Sequence, residues 1–145
     1  MQTKRYKYSK LFKDIYKFSG FKFSRFEMRI NEIRIYLKRT RKTSICRKCG
    51  RRNKVRMESY TRTIRDLDLG PTRCFIVFTE VKLCCRCGYR GYEEISFSRP
   101  YAHCTKRYEE YVVRLTERMT VSDVSIITGL DWKTVKDIDL SLIHI

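Results

Sequence analysis

Two short stretches, CRKCG at Cys46–Gly50 and CCRCG at Cys84–Gly88, repeat one spacing, Cys-x-x-Cys-Gly. Two thiolates three residues apart on a tight turn can reach one cation about 2.3 Å away, and the following glycine admits the left-handed backbone that the turn needs. Two such turns supply four sulfurs, the closed tetrahedral set of a structural zinc site. A fold that uses both must bring residues 46–50 and 84–88 together, so the 34 residues between Cys49 and Cys84 form a returning excursion. The expected ligands of one zinc ion are Cys46, Cys49, Cys84 and Cys87. The shifted register Cys85-Arg86-Cys87 has no matching twin, so Cys85 is expected to be a bystander, as is Cys74. A redox pair would need a βαβ context that the pattern lacks, and a disulfide scaffold would need an oxidising compartment. His103 and Cys104 lie outside both turns and are expected to be packing or surface residues.

Charge narrows the choice of partner. Lys and Arg total 33 against 16 Asp and Glu, a formal net charge of +17, which favours a polyanion. Residues 1–42 carry 14 basic and 3 acidic side chains, residues 43–100 carry 13 and 6, and residues 101–145 carry 6 and 7. The attraction therefore lies in the first hundred residues. No apolar leader follows Met1 and the longest apolar run is Cys74–Phe78, so no membrane span is expected and a cytoplasmic setting is.

Periodicity divides the chain into three. Tyr8, Leu11, Phe12 and Ile15 recur at helical spacing among lysines, which predicts a basic amphipathic helix within residues 1–20. Residues 21–100 read as β-rich. Phe26, Met28 and Ile30 alternate with polar residues, as do Ile33, Ile35 and Leu37, which predicts a hairpin turning at Asn31-Glu32. Thr61–Leu69 and Arg73–Leu83 predict a second strand pair around Gly70-Pro71. Residues 101–145 read as helical, with Tyr108, Tyr111, Val112 and Leu115 on one stripe. Thr120 or Ser122 can cap a helix that stops at Gly129, and a last helix places Val135 and Ile138 inward. The placement of Ser125, Gly129, Leu130, Val135 and Ile138 suits a helix-turn-helix, whose second helix would present Trp132, Lys133, Thr134 and Lys136 to a major groove. A plain helical hairpin would share this packing.

The order of these features resembles the amino-terminal region of insertion-sequence transposases of the ISL-three group. The resemblance rests on the first Cys-x-x-Cys-Gly, Tyr60, the strand TRTIRDL (Thr61–Leu67), the strand FIVFTEVKL before Cys84, the second Cys-x-x-Cys-Gly, and a helix-turn-helix over Thr120–Leu140. It implies the same four zinc ligands and binding to the terminal inverted repeats of a bacterial or archaeal mobile element, in the nucleoid. One departure is that Lys82 stands alone where the group commonly has several basic residues before its second cysteine pair. The group's catalytic domain would begin after Ile145, so no catalytic residue is expected in this chain, which would be a truncated transposase, a separated domain or a stand-alone remnant.

The combined expectation is an α+β protein in which a small zinc-stabilised β domain precedes a helix-turn-helix that binds double-stranded DNA. Lys38, Arg39, Arg41, Lys42, Arg51, Arg52, Lys54, Arg62 and Arg65 are the expected phosphate contacts. A full-length transposase or a second copy of the chain is the expected protein partner. The alternative is a zinc-containing RNA-binding or ribosome-associated protein, suggested by Tyr6, Tyr8, Phe12 and Tyr16 at the basic start.

Overall fold

The computed structural model describes residues 10–54 and 57–143, so Tyr6, Tyr8 and the expected start of the first helix lie outside the described residues. The protein is α+β. A five-stranded sheet is built from β1 (Phe21–Arg29), β2 (Glu32–Arg39), β5 (Glu58–Leu69), β6 (Thr72–Cys84) and β7 (Arg90–Tyr92). A separate ribbon joins β3 (Ser44–Ile45) to β4 (Arg52–Asn53). Residues 10–15 form helix α1, and α2 (Lys106–Thr116), α3 (Val121–Thr128) and α4 (Trp132–Ile143) follow the sheet.

The strand order is β1-β2-β6-β5, with β2 parallel to β6 and the other pairs antiparallel. Both expected hairpins form. The second turns at Gly70-Pro71, where Gly70 has φ 60°. The first turns one residue earlier than its sequence suggested, because Arg29 pairs with Glu32 and the loop is Ile30-Asn31. Asn31 takes the left-handed position, φ 61°, which its short polar side chain tolerates. Ile30 consequently sits at the loop tip, 93% exposed. The buried residues of β1 are Phe21 and Phe23, ahead of a register shift between Phe23 and Arg25, while Phe26 and Met28 stay exposed.

One face of the sheet makes the main core. Ile33 pairs with Cys74, and Ile35 with Ile76, across β2 and β6, while Ile64 of β5 lies opposite Ile76. Phe12 and Tyr16 lie over this face, with the Phe12 ring stacked on Tyr16 and Phe23, and Ile95 and Phe97 complete the cover. Leu11 and Ile15, expected on the inward stripe of α1, are exposed instead. A second core gathers Tyr108, Val112, Val124, Val135 and Ile138 from α2, α3 and α4 around Cys104, with Leu67 of β5 packed against it. Residues 103–105 run along the free edge of β5: the Arg65 N–H donates to the His103 carbonyl, and the Thr105 N–H to that of Arg65. The helical unit is thereby fixed to the sheet edge.

Candidate metal centre and nucleic-acid interface

Ser44–Ile45 and Arg52–Asn53 pair as a short ribbon whose connection holds the first cysteine turn. The Gly50 N–H donates to the Cys46 carbonyl, and the Cys46 N–H to that of Arg51. Gly50 has φ 73° and Gly88 φ 93°, so each turn ends on a left-handed glycine, as the spacing required. The second turn opens one residue later than expected. The Cys85 N–H donates to the Tyr89 carbonyl and the Gly88 N–H to that of Cys85.

The sulfurs brought together are those of Cys46, Cys49, Cys85 and Cys87, all within 4.8 Å of one another. Cys46 Sγ lies 3.7 Å from Cys87 Sγ, and Cys49 Sγ lies 3.5 Å from Cys85 Sγ. Tetrahedral zinc with bonds of about 2.3 Å spaces its sulfurs roughly 3.8 Å apart, so the four side chains fit that ion. Cys84 stands outside the cluster. Strand β6 runs through it, pairing it with Arg90, and strand alternation puts Val81, Leu83 and Cys85 on one side and Lys82 and Cys84 on the other. Cys46 lies on the side of Leu83 and Cys85. The bystander and the cluster member are therefore exchanged relative to the sequence reading: the sheet's two-residue period, not the repeated spacing, decides which thiol faces the first turn.

The thiols are electrostatically linked. The Cys87 backbone N–H, the largest influence, pulls the Cys85 thiol down to about 6 against burial. The Arg51 N–H lowers Cys49, but burial and the neighbouring thiols push it up to about 11. Four sulfurs this close cannot all be anionic without a cation among them, and that is the chemistry such a site offers.

The basic side chains fall into two groups. Arg39 forms a two-pronged pair with Glu93, its Nη2 2.9 Å from Oε2. Arg62 donates to Glu80 Oε2 at 3.0 Å and to the Ala102 carbonyl at 2.6 Å. Arg65 is buried and holds Asp68 at 2.9 Å. These three expected phosphate contacts are spent inside the fold, since each neutralises or braces a carboxylate at the sheet. Burial raises Glu80, with Arg62 pulling the other way. Arg41 donates to Ser19, and Lys38 and Lys42 are exposed. Arg51, Arg52 and Lys54 are exposed around the first cysteine turn. Three more exposed cations belong to the same surface: Lys48 inside the first turn, Arg86 inside the second, and Arg90 on β7. Sequence reasoning missed them, and position between the cysteines does not settle exposure, since Arg47 beside Lys48 turns inward to Glu80, Glu94 and the Glu93 carbonyl.

The helix-turn-helix forms where its spacing predicted. Thr120 caps α3 by accepting from the Asp123 N–H, and the left-handed Gly129, φ 71°, ends it. Ser125 Oγ donates to the Leu130 carbonyl at 2.6 Å, which fixes the turn. Asp131 accepts from the Thr134 N–H at 2.9 Å and from its hydroxyl at 2.7 Å, so it caps α4. Trp132, Lys133 and Lys136 are exposed near the start of α4, with Lys136 Nζ 4.9 Å from the Trp132 ring centroid, while Thr134 is half-buried in the cap.

The Asp131 cap gives the first testable consequence. Its hydrogen bonds to the Thr134 hydroxyl and N–H hold its carboxyl below the usual range. A depressed carboxylate stabilises the fold above its unfolded pKa and loses that contribution as pH falls through the folded value. The Thr134 amide resonance should therefore shift as pH is lowered below about 4, and in an Asp131→Ala variant it should not titrate.

A family model described as the helix-turn-helix domain of transposase family ISL3 matches residues 93–143. The transposase for insertion sequence element IS1001 of Bordetella parapertussis is 31% identical over 106 residues, covering 72% of this chain. The chain spans about a quarter of that relative's length, 26%. No solved structure matches.

Proposed function

Residues 93–143 are a helix-turn-helix region of the ISL3 transposase group, and from that premise we propose that the chain binds the terminal inverted repeats of an insertion sequence. The observation that carries the reading is the α3–Gly129–α4 unit, whose exposed Trp132, Lys133 and Lys136 lie at the start of the second helix. In a helix-turn-helix that end enters the major groove, where side chains read base edges. The helical segment is not itself basic, so affinity must come largely from elsewhere. The exposed cations Lys48, Arg51, Arg52, Lys54, Arg86 and Arg90 supply it by holding phosphates.

One structural zinc ion, held by Cys46, Cys49, Cys85 and Cys87, would fix the two turns that carry Lys48 and Arg86. In this reading residues 1–20, 21–100 and 101–145 divide as a basic arm, a zinc-bearing β domain and the helix-turn-helix. The chain acts by binding DNA, not by catalysis. Among the described residues no helix is long and apolar enough to cross a membrane.

The test is a mobility-shift assay with duplex carrying the flanking inverted repeats of the encoding element against a scrambled duplex. Preference for the repeats supports the reading, and equal affinity for both removes it. Salt dependence checks the phosphate assignment. A Lys48→Ala/Arg86→Ala double variant should flatten the slope of log affinity against log salt by up to about 0.9 for each phosphate no longer neutralised. Arg65→Gln, which alters a buried pair, should leave that slope unchanged.

A further inference from the structure

The core face of the sheet does not end where its apolar cover ends. Along β6 that face carries Cys74, Ile76 and Phe78, then Glu80 and Lys82. Strand β5 sets Tyr60 opposite Glu80, and β7 sets Tyr92 opposite Lys82, so both tyrosines share the face. Beyond Phe78 the surface opens as a cleft of about 520 Å³, walled on its far side by Tyr101 and His103.

The cleft is lined largely by aromatic rings, in a chain whose formal net charge is +17. The Tyr92 ring is met edge-on by Tyr60 at 5.6 Å and by Tyr101 at 5.8 Å between centroids. Tyr101 is 75% exposed and has φ 59°, a left-handed conformation that a bulky residue adopts only where its surroundings impose it, often at a ligand clamp. The wall therefore holds a large ring in solvent at a conformational cost, nearly perpendicular to Tyr92. On the floor, Arg62 donates to Glu80 Oε2, and Arg47 lies 3.8 Å from Glu80 Oε1, which has no hydrogen-bond partner among the described residues. A ligand is not required to neutralise either, so recognition must come from ring faces. Lys82 is half-buried and stands opposite Glu58 of β5, with no ion pair found for it among the described residues.

Beyond duplex binding, we propose that this cleft takes an unpaired base of single-stranded DNA, stacked on the exposed Tyr101 ring with the near-perpendicular Tyr92 ring at its edge, and with Lys82, opposite Tyr92 on the same face, to hold its phosphate. Aromatic faces accept any base, and a neighbouring cation supplies the backbone contact, as in single-strand binding generally. Strand ends and melted base pairs are the DNA that would present such a base.

The test is anisotropy of fluorescein-labelled oligo(dT) and of a blunt duplex with the full chain. Tyr101→Ala should weaken oligo(dT) binding about five-fold or more, the lower end for losing one stacking partner. Tyr101→Phe, which keeps the ring, should bind as the parent does. Both variants should bind the duplex unchanged, and Lys82→Gln should reduce the oligo(dT) salt slope by about 0.7. Unchanged oligo(dT) affinity in Tyr101→Ala overturns the proposal, as does an equal loss in Tyr101→Phe. Tighter binding of oligo(U) RNA than of oligo(dT) overturns the assignment to DNA. A parent chain that binds oligo(dT) but no duplex leaves this proposal standing and overturns the inverted-repeat reading.

Discussion

Cys85→Ser is expected to abolish stoichiometric zinc binding, whereas Cys84→Ser retains one zinc per chain by native mass spectrometry. The sequence offers both thiols to Cys87, and spacing alone favours Cys84. The fold decides otherwise, because Cys85 shares its side of β6 with Leu83 and packs with Cys46, while Cys84 continues the strand toward Arg90. Structural zinc contributes on the order of 10–16 kcal/mol in small metal domains, so losing one of four sulfurs is a large local perturbation. Its reach is bounded by the packing. Among the described residues the cluster around the sulfurs holds Cys46, Leu83 and Cys85, with Cys87 and Tyr89 beside them, and the two larger cores lie elsewhere. The sequence pointed to a small zinc-stabilised β domain, which would lean on the metal for its fold. With two further cores present, chelation should loosen the cysteine turns and their cations but leave the sheet and the helices folded. Amide exchange should show fast exchange at Cys46, Gly50, Cys85 and Gly88, with protection retained along β5 and β6. Zinc retained by Cys85→Ser and lost by Cys84→Ser would restore the Cys-x-x-Cys register.

What the sequence made legible was whatever depends on local period and turn chemistry. The two hairpins, the α2 stripe of Tyr108 and Val112, the Thr120 cap and the Gly129 stop all follow from spacing, and each forms. Local rules failed where a neighbour in space decided the outcome. Phe26, Met28 and Ile30 alternate as a buried strand face should, yet β1 is an edge strand and the cover from α1 ends at the contact of Phe12 with Phe26, so they remain exposed. Arg39 and Arg62 look like phosphate contacts because nothing in their own segments neutralises them, whereas Arg65 has its partner, Asp68, three residues on in the same strand. Their carboxylates arrive from a distance for Arg39, whose Glu93 lies on the far side of the cysteine turns, and across the hairpin for Arg62 and its Glu80. Charge counting finds how many cations a chain has. It does not find which are left over after folding.

The largest effect on the fold itself is expected at Arg107. Asp66 of β5 is fully buried, and its carboxylate receives Arg107 Nε at 2.8 Å and the Thr105 hydroxyl at 2.7 Å, with Arg107 Nη2 on its second oxygen. The same guanidinium donates to the Ile15 carbonyl and lies over the Tyr16 and Phe18 rings. One side chain thus joins the first turn of α2, the central part of β5 and the end of α1. Thr105 is also the cap of α2, so the node sets where the helical unit leaves the sheet. Removing one partner of a buried ion pair strands the other charge in low dielectric, at a cost of about 3–5 kcal/mol. The guanidinium is a third exposed, 33%, which places Arg107→Ala at the lower end, near 3 kcal/mol. Arg107→Lys keeps the charge but not the fork and should recover only part of the loss. Urea unfolding of both variants, alongside Asp66→Asn and the Asp66→Asn/Arg107→Ala double variant, measures the coupling directly. The double variant should lose less than the sum of the two single changes, because no buried charge is left unpaired. Additive losses, or less than about 1 kcal/mol in Arg107→Ala, the scale of an exposed pair, would mean that the pair adds little and that the helical unit is held by the backbone bonds of residues 103–105 to β5 and by the packing of Leu67.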